Sequence, residues 1–281
     1  MKKWYRFIII GILLMIIGIV LIGIGMMRGG KTQIEIGNPA NRGESIAVKE
    51  TLEAFDELEI DVDTVEFKLV KGEDYGIDFV VSDRAPIEYH LTDGKLTVKQ
   101  KGYKKLPIKI SLGINISDEV SHDYVILSVP EKNDLQSITM KCGVGELKIS
   151  EIETEYLDLD IGVGSLNLSD LTAKKAKIKG GVGEISARDL IAGQLDVEVG
   201  VGEVDIEGTF DGDVIIKGGM GDIKLRAKGT ETDFNYQFEQ GLGEIELNNK
   251  SVHSIKQTDN KADKMLSAES GIGSVSIYIE E

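Results

Sequence analysis

The chain has 281 residues, 41% of them hydrophobic, enough for a real core in one large domain or two smaller ones, which excludes a disordered chain. The charge is uneven: residues 1–31 hold Lys2, Lys3, Arg6, Arg28 and Lys31 and no acid, leaving 27 bases against 48 acids in the rest. A surface that acidic argues against nucleic acid as a partner and disfavours lying flat on anionic lipid, and the lone Cys142 excludes an internal disulfide and any multi-thiolate metal site.

Residues 1–6 form a short basic tail. From Phe7 to Met27, FIIIGILLMIIGIVLIGIGMM offers 21 uncharged residues, which at ~1.5 Å per residue span the ~30 Å hydrocarbon layer. This predicts a transmembrane helix. The basic residues before it bias the N-terminus to the cytoplasm and place everything after residue 28 outside, as a single-pass protein of the cell membrane. A cleaved signal peptide is the alternative, with Gly23 and Gly25 before the cut, but the apolar run exceeds the usual ~7–15 residues of such a signal. Gly11, Gly18 and Gly25 recur every seven residues and could let another helix approach, although glycine is common in membrane helices in any case.

Residues 28–50 read as a polar juxtamembrane linker. Residues 51–130 carry short alternating runs: ELEIDV, VEFKLV, YGIDFVV, IEYHLTDGKLTVKQ, PIKISLGINI and DYVILSVP. Asp93–Gly94 is a two-residue hairpin signal. This section is expected to be irregular β structure that caps the repetitive region beginning near residue 131.

Residues 131–281 repeat. Gly-x-Gly triplets fall at Gly143 and Gly145, Gly162 and Gly164, Gly181 and Gly183, Gly200 and Gly202, and Gly219 and Gly221, at intervals of nineteen. Two more, at Gly241 and Gly243 and at Gly271 and Gly273, come after intervals of 22 and 30. Apolar residues alternate on both sides of each triplet, as in Leu157–Leu159–Ile161 before Gly162 and Leu166–Leu168 after it. Each rung is predicted as strand, glycine corner, strand and polar turn. One rung cannot bury its apolar face alone, so the rungs must stack as a parallel β-solenoid, making the fold all-β with one transmembrane helix before it.

The charges agree with stacking. Asp160, Lys179, Glu198 and Lys217, each two residues before a triplet, alternate in sign and become neighbours ~4.8 Å apart. After the triplets, Glu184, Glu203, Asp222 and Glu244 form a like-charge column. It offers a strip for a divalent cation or a cationic peptide, or simply a solvated edge. Residues 248–269 read as a loop insertion with room for a short helix around ADKMLSA. Cys142 alternates with Ile138 and Met140 and is expected as a buried small hydrophobe.

No catalytic pattern emerges. His90, His122 and His253 are isolated, and no G-x-S-x-G, H-E-x-x-H or phosphate-loop motif occurs. The triplets are followed by strand alternation rather than a helix, which removes the dinucleotide reading. A non-enzymatic protein without a bound cofactor is expected.

The stretches FDELEIDVDTVEFKLVKGEDYGIDF, DGKLTVKQK and VILSVPEKNDLQSITMKCGVGELKI, followed by the glycine rungs, resemble the bacterial putative-adhesin family over roughly Phe55 to Ile279. The resemblance implies a β-solenoid head, membrane-anchored or surface-exposed on Gram-positive cells, and a rigid acidic solenoid held outside the membrane is expected to bind a protein, a cationic peptide or a cell-wall component. Some members resemble accessory proteins of envelope-stress responses, so action on a membrane sensor is the alternative. The family brings no catalytic residues.

Overall fold

The computed structural model describes residues 33–35, 44–101, 113–115, 123–131, 135–252, 255, 258 and 260–280. The helix expected over 7–27, with Gly11, Gly18 and Gly25, lies outside them, and no helix among the described residues is long and apolar enough to cross a membrane. The chain divides into two compact units. In the first, residues 1–43 and 104–121, strand β1 (Gln33–Glu35) pairs in parallel with β7 (Gly113–Asn115).

The second unit, residues 44–103 and 122–281, is a β-solenoid. Its stack begins two rungs earlier than the glycine triplets announce. Strand β3 (Glu57–Gly72) is a rung in its own right, lying parallel to the start of β9 (Ser137–Phe210), with Leu58 beside Ile138, Ile60 beside Met140, Phe67 beside Leu147 and Leu69 beside Ile149. On the other side of β3, β6 (Lys95–Gln100) pairs in parallel with its first half and β8 (Tyr124–Pro130) with its second. Antiparallel strands then close this end. Strand β5 (Ile87–Thr92) folds back on β6 through Asp93 and Gly94, both at positive φ as the primed hairpin turn requires. Strand β4 (Gly76–Ser82) covers β8, and β2 (Ser45–Thr51) covers β4.

Along β9 the chain climbs one rung every nineteen residues. The polar turn expected between strands is instead a third, short side, because alternation continues through it and buries Ile152, Leu171, Ala173, Leu190 and Ala192. Its corner residues, Glu151, Asp170 and Asp189, stand nineteen apart with φ of 50–56°. Aspartate tolerates that left-handed region better than most side chains.

The C-terminal rungs leave chain order. Strands β10 (Val214–Met220) and β11 (Ile223–Lys228) form one rung; β12 (Phe234–Leu242) and β13 (Ile245–Leu247) another; β15 (Lys264–Ile272) and β16 (Val275–Glu280) a third. The last of these inserts between the other two, with β15 pairing β10 on one side and β12 on the other, and β16 likewise between β11 and β13. The segment 248–269 is therefore the return path to the inserted rung, and its described residues 258 and 260–263 lie outside any strand. It contains β14 (Lys250–Val252), antiparallel to β13, and the first residues of β15, where the sequence suggests a short helix. The alternation of buried Leu266 and Ala268 with more exposed neighbours suits a strand.

The core is a column of Val, Leu, Ile and Ala, widened by aromatics at its ends: Phe55, Phe67 and Phe79 at one, Phe210, Phe234, Tyr236 and Phe238 at the other. Each fully buried Leu or Ile contributes about 1.5–3 kcal/mol. Cys142 is buried in this column as expected, and loss of solvent pushes its thiol up to about 11.

Candidate functional site

The corner is the most regular feature of the solenoid, and its geometry follows from rung spacing. The second glycines of the triplets, Gly145, Gly164, Gly183, Gly202, Gly221, Gly243 and Gly273, have φ of 129–152°. A Cβ at Gly164, Gly183, Gly202, Gly221, Gly243 or Gly273 would lie 1.7–2.0 Å from the carbonyl oxygen of the matching glycine one rung over, and at Gly145 it would meet Val65 O at 2.1 Å. The first glycines are held by space alone. A Cβ at Gly162, Gly181, Gly200, Gly219, Gly241 or Gly271 would meet the neighbouring oxygen at 2.3–2.6 Å, and at Gly143 it would meet Asp63 O at 2.7 Å. All fourteen corner glycines predicted from the sequence thus meet in one ladder. Its order departs from the chain at the end: Gly273 lies against Gly221 and Gly243 against Gly273, just as Gly271 lies against Gly219 and Gly241 against Gly271.

Between the two glycines the side chain points outward. In spatial order Val144, Val163, Val182, Val201, Met220, Ile272 and Leu242 are 44–69% exposed. At ~4.8 Å per rung they form an apolar ridge about 29 Å long. The inserted rung keeps it continuous by placing Ile272 between Met220 and Leu242.

Two columns of charge flank the ridge. Beyond the second glycine stand Glu66, Glu146, Ser165, Glu184, Glu203, Asp222, Ser274 and Glu244. The column expected from Glu184 to Glu244 is therefore interrupted: Ser274 separates Asp222 from Glu244, and its amide donates to Asp222 Oδ1 at 2.7 Å. Glu146 is engaged by Lys148 at 2.8 Å and by Asn167 at 3.1 Å, whereas Glu184 and Glu203 are exposed. Among the described residues no three His, Cys, Asp or Glu side chains converge as metal ligands.

On the other flank the alternating ladder is longer than the four residues read from the sequence. It runs Glu88, Lys99, Asp61, Lys141, Asp160, Lys179, Glu198, Lys217, Glu269, nine neighbours without a break in sign. Its members from Asp61 to Glu269 are exposed. Gly180 and Gly218 lack side chains beside it, which leaves a shallow open groove of about 470 Å³ lined by Asp160, Lys179, Glu198, Lys217 and Glu269.

Two residues at the corner escaped sequence reasoning. Gln100, which is buried, closes the corner of β3: its Oε1 accepts the amides of Asp63 and Thr64 at 2.9 Å each, and its Nε2 donates to Ala85 O at 3.3 Å. Thr64 takes the ridge position in that rung, in register with Val144. Nothing in the spacing of a lone Gln marks it; the signal available was the absence of glycine from DVDTVEF.

The fold and corner ladder define a capped parallel β-solenoid with an outward apolar ridge. The chain belongs to the Toastrack DUF4097 family, whose model matches residues 55–277. No curated protein matches it. Among solved structures it is similar to a putative cell adhesion protein from Clostridium sporogenes, at 17% identity over 84% of this chain and 100% of that one, with a TM-score of 0.39. A putative adhesin from Bacteroides fragilis shares 16% identity over 83% and 97% of the two chains (TM-score 0.38), and a putative lipid binding protein from Parabacteroides distasonis 14% over 84% and 97% (TM-score 0.42).

Proposed function

We propose that this protein is a membrane-anchored, extracytoplasmic interaction module that presents a non-catalytic surface to a partner at the cell envelope. The observation that carries the reading is the ridge: seven apolar side chains, each about half exposed or more, aligned on a scaffold whose backbone is locked rung to rung. An apolar stripe of that length on a monomer marks an interaction surface more often than chance exposure. The apolar run from Phe7 to Met27 supports the anchor, and the basic residues before it support an outward-facing solenoid. The exposed carboxylates of Glu184 and Glu203 would let a divalent cation strengthen the contact.

The test uses the full-length chain with a C-terminal tag in its own cells. The tag should be reached by antibody on intact cells, and cross-linking before solubilisation should recover an envelope protein or wall polymer, compared with and without millimolar calcium. A tag that stays hidden until lysis would sink the extracytoplasmic placement. Recovery of a membrane sensor, lost when residues 7–27 are exchanged for another spanning sequence, would replace surface contact with regulation through the helix.

A further inference from the structure

The ridge position is filled by four valines, an isoleucine, a methionine and a leucine. What they share is apolarity rather than β-branching, so backbone preference does not account for them. Nor does packing, since they point outward, and the β3 rung turns with Thr64 in the same rank. Apolarity at this exposed rank serves something outside the rung.

Charge decides what that is. If a second copy faced the ridge, a two-fold axis with the ridges antiparallel would set the column holding Glu184, Glu203 and Asp222 against itself, and one with the ridges parallel would set it against the alternating ladder, where half of the facing charges are again acidic; like charges directly opposed are destabilising. An anionic bilayer meets the same carboxylates. We propose that the ridge binds a basic, apolar-faced helical segment of a partner protein, laid lengthwise along the stack with its cations over Glu184, Glu203 and Asp222. Dimensions agree: a helix of about 20 residues covers the ~29 Å ridge, laying between about five and six turns over the seven rungs. This rests on the reading of the solenoid as an interaction module and names the chemistry of its partner.

The experiment places the full-length chain in phosphatidylcholine nanodiscs and titrates it with a 20-residue photo-cross-linking peptide of leucines on one helical face and lysines on the other. The comparison chain is V163T/V182T/V201T, which keeps β-branching and copies the residue that the β3 corner already accepts; an unchanged melting curve confirms its fold. Cross-links are expected at the corners from Val163 to Met220, with about ten-fold weaker binding in the threonine chain and a shallower salt dependence in E184Q/E203Q. Equal binding to the threonine chain, or equal cross-linking by a peptide with glutamates in place of the lysines, overturns the proposal. If the threonine chain still recovers its envelope partner from cells, the ridge is refuted while the interaction module stands. If the parent chain recovers nothing, the module reading fails and the peptide alone decides the ridge.

Discussion

The corner of β3 and the corners of the glycine rungs solve one geometric problem with different residues. At Gly183 the carbonyl oxygen of Gly164 occupies the place of a Cβ, 1.7 Å away, and the backbone takes φ of +143°. At the matching rank of β3 stands Val65, which is buried, carries a side chain and is not at positive φ. The Gly143–Gly145 corner lies on one side of it, but on the other side, where β6 runs, stands the amide of Gln100 in place of another corner's backbone. Glycine is therefore required by the neighbouring rung rather than by the act of turning. The first triplet appears at Gly143 because that is the first corner whose Cβ positions point at the backbone of a preceding one, the corner at Asp63–Val65.

The contrast is greatest at Gly183. Gly183→Ala combines a backbone clash with a forbidden φ and is expected to cost about 4 kcal/mol or more in chemical denaturation, or to prevent folding. A loss below about 1 kcal/mol would mean the rungs can separate at the corner, and the requirement would not come from stacking. The order of the last rungs is tested by cross-linking. Lys217 and Glu269 are register neighbours, so K217C/E269C should oxidise to a disulfide and stabilise by about 2–4 kcal/mol, whereas K217C/E239C should not close. Cys142 stays out of the exchange because burial holds its thiol at about 11. Closure of the second pair instead would restore chain order. Gln100→Ala probes the corner built without glycine. It strands the amides of Asp63 and Thr64 in a partly buried corner, a loss of about 2 kcal/mol that melts the N-terminal rungs first by hydrogen exchange.

Much of this was legible in the sequence, because a nineteen-residue period with alternation on both sides of a glycine pair has few other meanings. The stacking order was not, since the rungs at Gly241 and Gly271 carry the same pattern and either can lie against Gly219. The two N-terminal rungs were also hidden: the period is signalled by corner glycines, and the described corner of β3 has none. The outward ridge lay between two counts. Inward positions before the corner, such as Ile161, and after it, such as Leu166, are five apart, so alternation must break inside the triplet. Counting forward from Ile161 turns Val163 inward, and only the folded corner shows it outward. The third side was missed because Glu151, Asp170 and Asp189 look like turn residues, which they are, while the strand resumes after each.

The mildest substitutions separate the two ways in which charges meet along the stack. Arg226 reaches back one rung to both Asp205, at 2.9 and 3.2 Å, and Glu207, at 3.2 Å, with about a quarter of its side chain exposed. In the ladder, Lys179 lies beside Asp160 and Glu198, and among the described residues it makes no ion pair within 4.0 Å, so it acts through the field alone. Arg226→Ala should cost about 0.5–1 kcal/mol, and Lys179→Ala less than about 0.5 kcal/mol, with both losses shrinking in 1 M salt, where the screening length falls to about 3 Å. Urea titrations at low and high salt decide it. Equal losses that vanish together would make the whole face one electrostatic ladder. A residual loss at Arg226 in high salt would assign it a geometric role, its guanidinium forked between two carboxylates of the neighbouring rung and fixing their register.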